Sequence, residues 1–370
     1  MRPEGRFLSL LRKELIQFFR DRIMLFLVVF LFTGEVLMCV YALSLDVRDL
    51  PTAVADFDRS PASRELVERL RSSGYFRIDH VAARESELAA LLDRGDALAA
   101  VVIPPEFSAR LAAGKPTAVQ VLLDGTNSNT ASVAQAYSQR IVQSYALERV
   151  RSAAPEFSLP VEYRPRIWYN SELEYSYFMM LSMIALAGMM VGVTTAAAGI
   201  VREKETGTIE QMMVTPITPA ELILAKMTPP FVVGMASLVP ALLIAWAIGV
   251  PMRGSLPLFF LLSAMFLASS MAIGIMIATI TETLQQALLV SFFALFPILF
   301  LSGTLVPVET IPALLRYMAQ ASPLTHYMDA LLGVFLKGVG LEVLWRDALA
   351  LVAIGAALLS ASVLRLHRRI

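Results

Sequence analysis

Six long apolar runs constrain this chain of 370 residues more than any other feature: Ile23–Leu45, Phe178–Val201, Pro230–Gly249, Leu256–Ile280, Ala287–Val306 and Ala348–Leu364. A helix needs about 20 mostly apolar residues to cross a bilayer. A helix also closes its own backbone hydrogen bonds, which hydrocarbon cannot do for it. The runs therefore predict a polytopic α-helical membrane protein with six transmembrane helices. Composition agrees, since 56% of residues are hydrophobic and 17% charged, a more apolar balance than water-soluble domains show.

Orientation follows from lysine and arginine in the short flanks. Arg2, Arg6, Arg12, Lys13, Arg20 and Arg22 lead into the first run; Arg202, Lys204 and Lys226 lie between the second and third; Arg365, Arg368 and Arg369 close the chain. The opposite flanks hold Arg253, Arg316, Lys337 and Arg346. Twelve against four places both termini and the 201–228 loop in the cytoplasm. Six spans, an even number, require the termini to share a side. The first run is not a cleaved signal peptide, because it and its charged leader are both too long.

Residues 1–22 pattern as an amphipathic interfacial helix. Phe7, Leu8, Leu11, Leu15, Phe18 and Phe19 recur at three- and four-residue steps with Arg12, Lys13 and Arg20 between them. The first span, 23–45, carries Glu35, the only charge inside any of the six runs. At 1.5 Å per residue it lies about 18 Å past Arg22, near the midplane. A carboxylate there costs about 2.5 kcal/mol or more, so it must face a partner helix or a wet cavity. Two readings stand: a contact on a translocation path, or an interhelical hydrogen bond to Ser, Thr or a carbonyl.

Residues 46–176 are charged and rich in turns, and strand-like runs alternate with helical patterns: Thr52–Asp56, Phe76–Val81, Ala97–Ile103 and Thr117–Leu123 each precede one. This rhythm predicts an inserted extracytoplasmic α/β domain between the first and second spans. Ala97–Ile103 is continuously apolar, as a central strand should be. Val133, Tyr137, Ile141 and Tyr145 form one helical stripe that reads as core packing.

The rest, 177–370, is a five-span domain. Gly188 and Gly192 in the second span let a neighbouring helix approach closely. Pro240 and Pro297 lie mid-span in the third and fifth, where kinks act as hinges. The 307–346 segment is apolar but cut by Pro307, Pro312 and Pro323, which predicts short external helices over Ile311–Met318 and Leu324–Leu336. The 201–228 loop is the longest polar interval in this half. It carries two capping boxes, Thr208 with Gln211 and Thr218 with Glu221, the second with Pro219 at the first helical position. A short helix over Ile209–Val214 would receive a push from a soluble partner; a solvated hairpin would not.

Several chemistries are excluded. Gly114-Lys115-Pro116 is not a phosphate-binding loop, and no nucleophile–base motif is present. Cys39 is the sole cysteine, so no intrachain disulfide forms, and His80, His326 and His367 show no metal-ligand spacing. Zero net charge gives no basic field for nucleic acid.

The run Arg-Glu-Lys-Glu-Thr-Gly-Thr-Ile-Glu (202–210), the following Thr-Pro-Ile-Thr-Pro-Ala-Glu (215–221), the amphipathic N-terminus and the Ser-Gly-Thr after the fifth span resemble the permease subunits of type-2 ATP-binding-cassette exporters. The likeness is to the bacterial branch with a large extracytoplasmic domain. It implies a multi-pass protein of the bacterial inner membrane, without its own ATPase, exporting a lipophilic drug-like molecule or lipid. It also implies a cytoplasmic ATPase partner holding ATP and Mg, a second permease copy or sister subunit, and a periplasmic membrane-fusion adaptor. Carried onto this chain, Glu203, Glu205, Gly207, Thr208, Ile209, Glu210, Met212 and Met213 would form the ATPase-coupling contact. The rival reading is a membrane-anchored sensor or scaffold whose outer domain binds a ligand.

Overall fold

The computed structural model describes residues 3–42, 49–153, 168–170, 174–207, 218–304 and 311–369. The chain divides into two compact units, Met1–Ser44 with Ile167–Ile370, and Leu45–Arg166.

Within the first unit, six helices among the described residues are long and apolar enough to span a bilayer. Helix α1 (Pro3–Arg20) ends at Asp21, whose carboxylate accepts from the Met24 amide at 3.1 Å and starts α2 (Arg22–Phe30). A π-helical turn, Leu31–Glu35, then leads into α3 (Val36–Ala42). The remaining spans are α8 (Tyr175–Glu205), α9 (Pro219–Ile248), α10 (Leu256–Ile280), α11 (Leu284–Leu301) and α14 (Leu341–Arg369).

Helix α9 starts on the predicted box. The Thr218 hydroxyl accepts from the Glu221 amide at 3.3 Å, and the Glu221 carboxylate accepts from the Thr218 amide at 2.7 Å. The helix therefore begins well before the apolar run and continues through Pro229, Pro230 and Pro240. Pro297 likewise lies inside α11.

Helices α8 and α10 form the centre. In their most apolar stretches 72% and 67% of residues are buried, against 11% in α11. Glycine sets how closely they cross. A Cβ on Gly192 would lie 2.6 Å from Ser270 Cβ, and one on Gly274 would lie 2.2 Å from the Val193 carbonyl oxygen. Two short helices, α12 (Ala313–Gln320) and α13 (Pro323–Leu332), occupy the proline-cut segment. Helix α13 is buried by Tyr327, which stacks on Phe266 at 4.0 Å between centroids and shares a 2.7 Å hydrogen bond with Ser263.

The second unit is a four-stranded sheet ordered β2-β1-β3-β4, with β1 Leu50–Asp56, β2 Phe76–Val81, β3 Ala99–Ile103 and β4 Gln120–Leu123. Strand β1 pairs in parallel with β2 and β3, while β4 runs antiparallel to β3. Alternation sends Ala99, Val101 and Ile103 to one face and Ala100 and Val102 to the other. The first face is covered by α4 (Pro61–Ser72) through Leu66 and Leu70, by α6 (Phe107–Ala112) through Phe107, and by α7 (Ser128–Ala153). From α7, Tyr145 is buried and donates to the Ala62 carbonyl at 3.0 Å, and Tyr137 stacks on Tyr75. Helix α5 (Glu85–Asp93) packs Leu88 on the second face.

Candidate functional site

The last turn of α8 reads Arg202-Glu203-Lys204-Glu205. Successive side chains on a helix point about 100° apart, so four in a row sweep its circumference. Here each reaches a different element. Arg202 donates to Asp21, at the junction of α1 and α2, at 3.4 Å. Glu203 accepts from Lys226 of α9 at 2.5 Å. The Lys204 ammonium donates to the Thr281 carbonyl at 3.1 Å and to the Ala278 carbonyl, at the end of α10. Glu205 accepts from the Leu284 amide, at the start of α11, at 2.7 Å. A cation on the unpaired carbonyls of one helix and an anion on the free amides of another are the pairings that helix ends favour.

Lys226 is the centre of a buried charge cluster. It lies 2.8 Å from Glu14 of α1 as well as 2.5 Å from Glu203, and the three side chains are 8%, 7% and 9% exposed. The second Glu14 oxygen makes no hydrogen bond among the described residues. Lys13 stands 3.5 Å from it and 3.9 Å from Glu203, close enough to compensate charge but too far to donate. Burying a lone charge is costly, so these groups are held in place by their mutual need.

On α1, Leu10 is buried with Leu222 and Ala225 of α9 and Glu14 is buried beside Lys226, whereas Leu8 and Phe19 are 67% and 52% exposed. A glutamate counts as a surface residue in any periodicity, and its partner Lys226 is far away in sequence.

The other expected residues are distributed as follows. Glu203 is turned inward, 7% exposed, and its carboxylate serves its own chain. Gly207 has φ +68° and closes α8, its amide donating to the Lys204 carbonyl at 3.1 Å. Thr208, Ile209, Glu210, Met212 and Met213 lie outside the described residues, as does the short helix expected over Ile209–Val214. Gly188 faces Phe266, and Gly192 faces Ser270. Glu14, Lys226 and Gly274 carry weight that periodicity did not assign to them.

Glu35 ends the π-helical turn of the first span. Such turns break the regular backbone ladder and are enriched at functional positions. One carboxyl oxygen is enclosed and has no hydrogen-bond partner among the described residues.

Comparison with known proteins agrees with this architecture. The pattern of the ABC-2 family transporter proteins matches residues 22–364. The chain is 31% identical over 370 residues to the probable multidrug ABC transporter permease YbhR of Escherichia coli K12, covering 98% of each. It is 30% identical over 363 residues to the inner membrane transport permease YhhJ of the same strain, covering 97% of this chain and 96% of that one. To the probable multidrug ABC transporter permease YbhS it is 29% identical over 333 residues, covering 89% and 88%.

Proposed function

The chain belongs to the ABC-2 family of transporter proteins, as a permease subunit that works with a separate ATP-binding-cassette subunit, and on that premise we propose that it exports a lipophilic drug-like molecule or lipid when that partner grips its 201–228 loop. ATP and Mg stay with the partner. In this reading both termini and the loop are cytoplasmic, in keeping with the twelve-to-four excess of basic residues. The sheet unit stands outside the bacterial inner membrane, available to a periplasmic membrane-fusion adaptor. A second permease copy or a sister subunit completes the pathway, and the exposed Phe292, Phe293, Phe296 and Phe300 of α11 suit a neighbouring helix.

The observation that carries the proposal is the four-way tie at 202–205. A force delivered just beyond Gly207 reaches α1, α9, α10 and α11 through one helix end. Ile209, Met212 and Met213 supply apolar knobs for a groove on the ATPase, and Thr208 and Glu210 set orientation. Glu203 and Glu205 act directly behind that contact, passing displacement to the spans. Pro240 and Pro297 are where α9 and α11 can bend in response.

The test is ATP hydrolysis by the reconstituted complex. Ile209→Asp with Met213→Asp is expected to cut complex-stimulated hydrolysis about tenfold, the loss of about 1.4 kcal/mol of coupling. A cysteine placed at Thr208 in a Cys39→Ser background should be labelled only from the cytoplasmic side. Labelling from outside, or unchanged hydrolysis, would sink the proposal.

Glu35 lies on the substrate path in this proposal, its enclosed carboxyl meeting a polar or cationic group of the passing molecule. Glu35→Gln keeps the shape and removes the charge. Transport of lipophilic cations should then fall about tenfold or more while the thermal midpoint stays put, because a charged hydrogen bond is worth about 1.5–3 kcal/mol. Undiminished transport of every tested cation would remove Glu35 from the path.

A further inference from the structure

On the side of the spans opposite the 201–228 loop, where α8 begins, α11 ends and α14 begins, α12 and α13 complete a pocket of about 740 Å³. That size lies within the ordinary range for small-molecule sites. Nothing in the coupling scheme uses it.

Its walls are unusually charged for a place beside apolar spans. Arg316 comes from α12, His326 and Asp329 from α13, Arg346 and Asp347 from α14. His326 fixes the arrangement. Its Nδ1 lies 3.0 Å from the Asp347 carboxylate and its Nε2 lies 2.9 Å from the Gln320 carbonyl. Both partners only accept, so both ring nitrogens must donate, and the ring is an imidazolium. The resulting ion pair joins α13 to α14 and to the end of α12. The hydrogen bond to Asp347 and the Asp347 charge hold the His326 pKa above its usual value.

Among the described residues that line it, three cations stand against two carboxylates, and Arg316 also donates to the Ile311 carbonyl at 3.4 Å. Asp347 is taken up by His326. Among the described residues no carboxylate lies within ion-pair distance of Arg346, whose guanidinium rests 5.5 Å from the Trp345 ring. The rest of the wall combines polar Ser302, Gln320 and Thr325 with an apolar part made by Phe178, Met328 and Leu332. Guanidinium is the side-chain group best shaped to clamp a phosphate or carboxylate through two parallel hydrogen bonds.

We infer that this pocket binds an anionic amphiphile, with Arg346 and Arg316 clamping a phosphate or carboxylate head and Phe178, Met328 and Leu332 holding the start of its apolar tail. The pocket could be filled from the surrounding bilayer, by an anionic phospholipid, or by a passing anionic cargo; the recognising chemistry is the same. The inference concerns a binding site alone and does not depend on how the 201–228 loop is driven.

The test is calorimetric titration of the full chain in phosphatidylcholine nanodiscs. Dodecyl phosphate is expected to bind at one saturable site, weakened at least tenfold by Arg346→Gln and further by adding Arg316→Gln, with the thermal midpoint unchanged. Dodecylphosphocholine tests the need for net negative charge, and inorganic phosphate tests the need for the tail. Equal affinity for either control, or full binding by the double variant, overturns the inference. Lipid extraction from protein purified from native membrane separates the sources. Phosphatidylglycerol that co-purifies with the protein and is lost in Arg346→Gln identifies a bilayer occupant. Dodecyl phosphate binding without such co-purification identifies a cargo. Where the double variant fails to fold, His326→Gln serves instead. It breaks the wall but leaves both arginines, and should weaken dodecyl phosphate binding while its preference over dodecylphosphocholine persists.

Discussion

Lys226→Ala should destabilise the protein by about 3–5 kcal/mol, the cost typical of removing one partner from a buried ion pair. The substitution leaves Glu14 and Glu203, whose side chains are 7% and 9% exposed, facing one another without their shared cation. Lys13, half-exposed and at 3.5 and 3.9 Å, cannot replace it, because it screens without donating a hydrogen bond to either. Adding Glu14→Gln and Glu203→Gln removes the stranded charges. It should recover most of the loss, since a neutral set of similar volume is often as stable as the ions it replaces. Thermal unfolding of the detergent-solubilised protein reads both arms. A loss below about 1 kcal/mol for Lys226→Ala would mean that water enters the cluster freely and that it behaves as a surface pair.

Hydropathy places an apolar run on each of the six spans but does not fix the helix bounds: Ala287–Val306 runs past α11, which closes at Leu301 with Ser302 as its cap. Leu256–Ile280 was read to the residue because Ser255 and Thr281 bound it closely on both sides. Pro230–Gly249 was read short because α9 starts on the Thr218 box and is polar and helical before it enters the apolar region. The box itself was legible, as its residues are three apart. Strand β3 was legible for a similar reason, since burial on both faces leaves a run with no polar break. The cluster of Glu14, Lys226 and Glu203 was not, because three charged residues from three helices carry no mark of their meeting. Glu203 and Glu205 stood out as acidic residues on a loop flank and were assigned to a partner. Their geometry shows one buried beside Lys226 and the other accepting from the Leu284 amide of α11. The glycine pair in α8 was legible as a packing motif, but the residue on α10 that needs the closer approach was not.

Gly274→Ala should be the most damaging single-methyl change in the membrane unit. The added Cβ would lie 2.2 Å from the Val193 carbonyl oxygen and 3.0 Å from both the Val193 carbonyl carbon and the Ala196 Cβ. Two of those three atoms are backbone, so no side-chain rotation relieves the clash, and α8 and α10 must move apart along their shared length. Overpacking of this kind typically costs about 1–3 kcal/mol, and an unyielding backbone puts this site at the upper end. Gly192→Ala meets Ser270 Cβ at 2.6 Å and should cost less, since the backbone atoms of Ser270 and Met271 lie no closer than 3.3 Å. Gly199→Ala meets nothing within 4 Å in the same helix. It should be neutral or stabilising by about 1 kcal/mol, because alanine is the better helix former. Thermal unfolding of the three variants should therefore rank Gly274 below Gly192 and Gly192 below Gly199. Equal midpoints for Gly274→Ala and Gly199→Ala would show that the crossing is looser than its geometry. The ranking also bears on mechanism. Helix α8 carries the tight crossing at one level and the four-way tie of 202–205 at its end, so it can move α10 only while the two stay locked. Gly274→Ala should accordingly separate ATP hydrolysis from transport in the reconstituted complex, leaving the first running while the second fails.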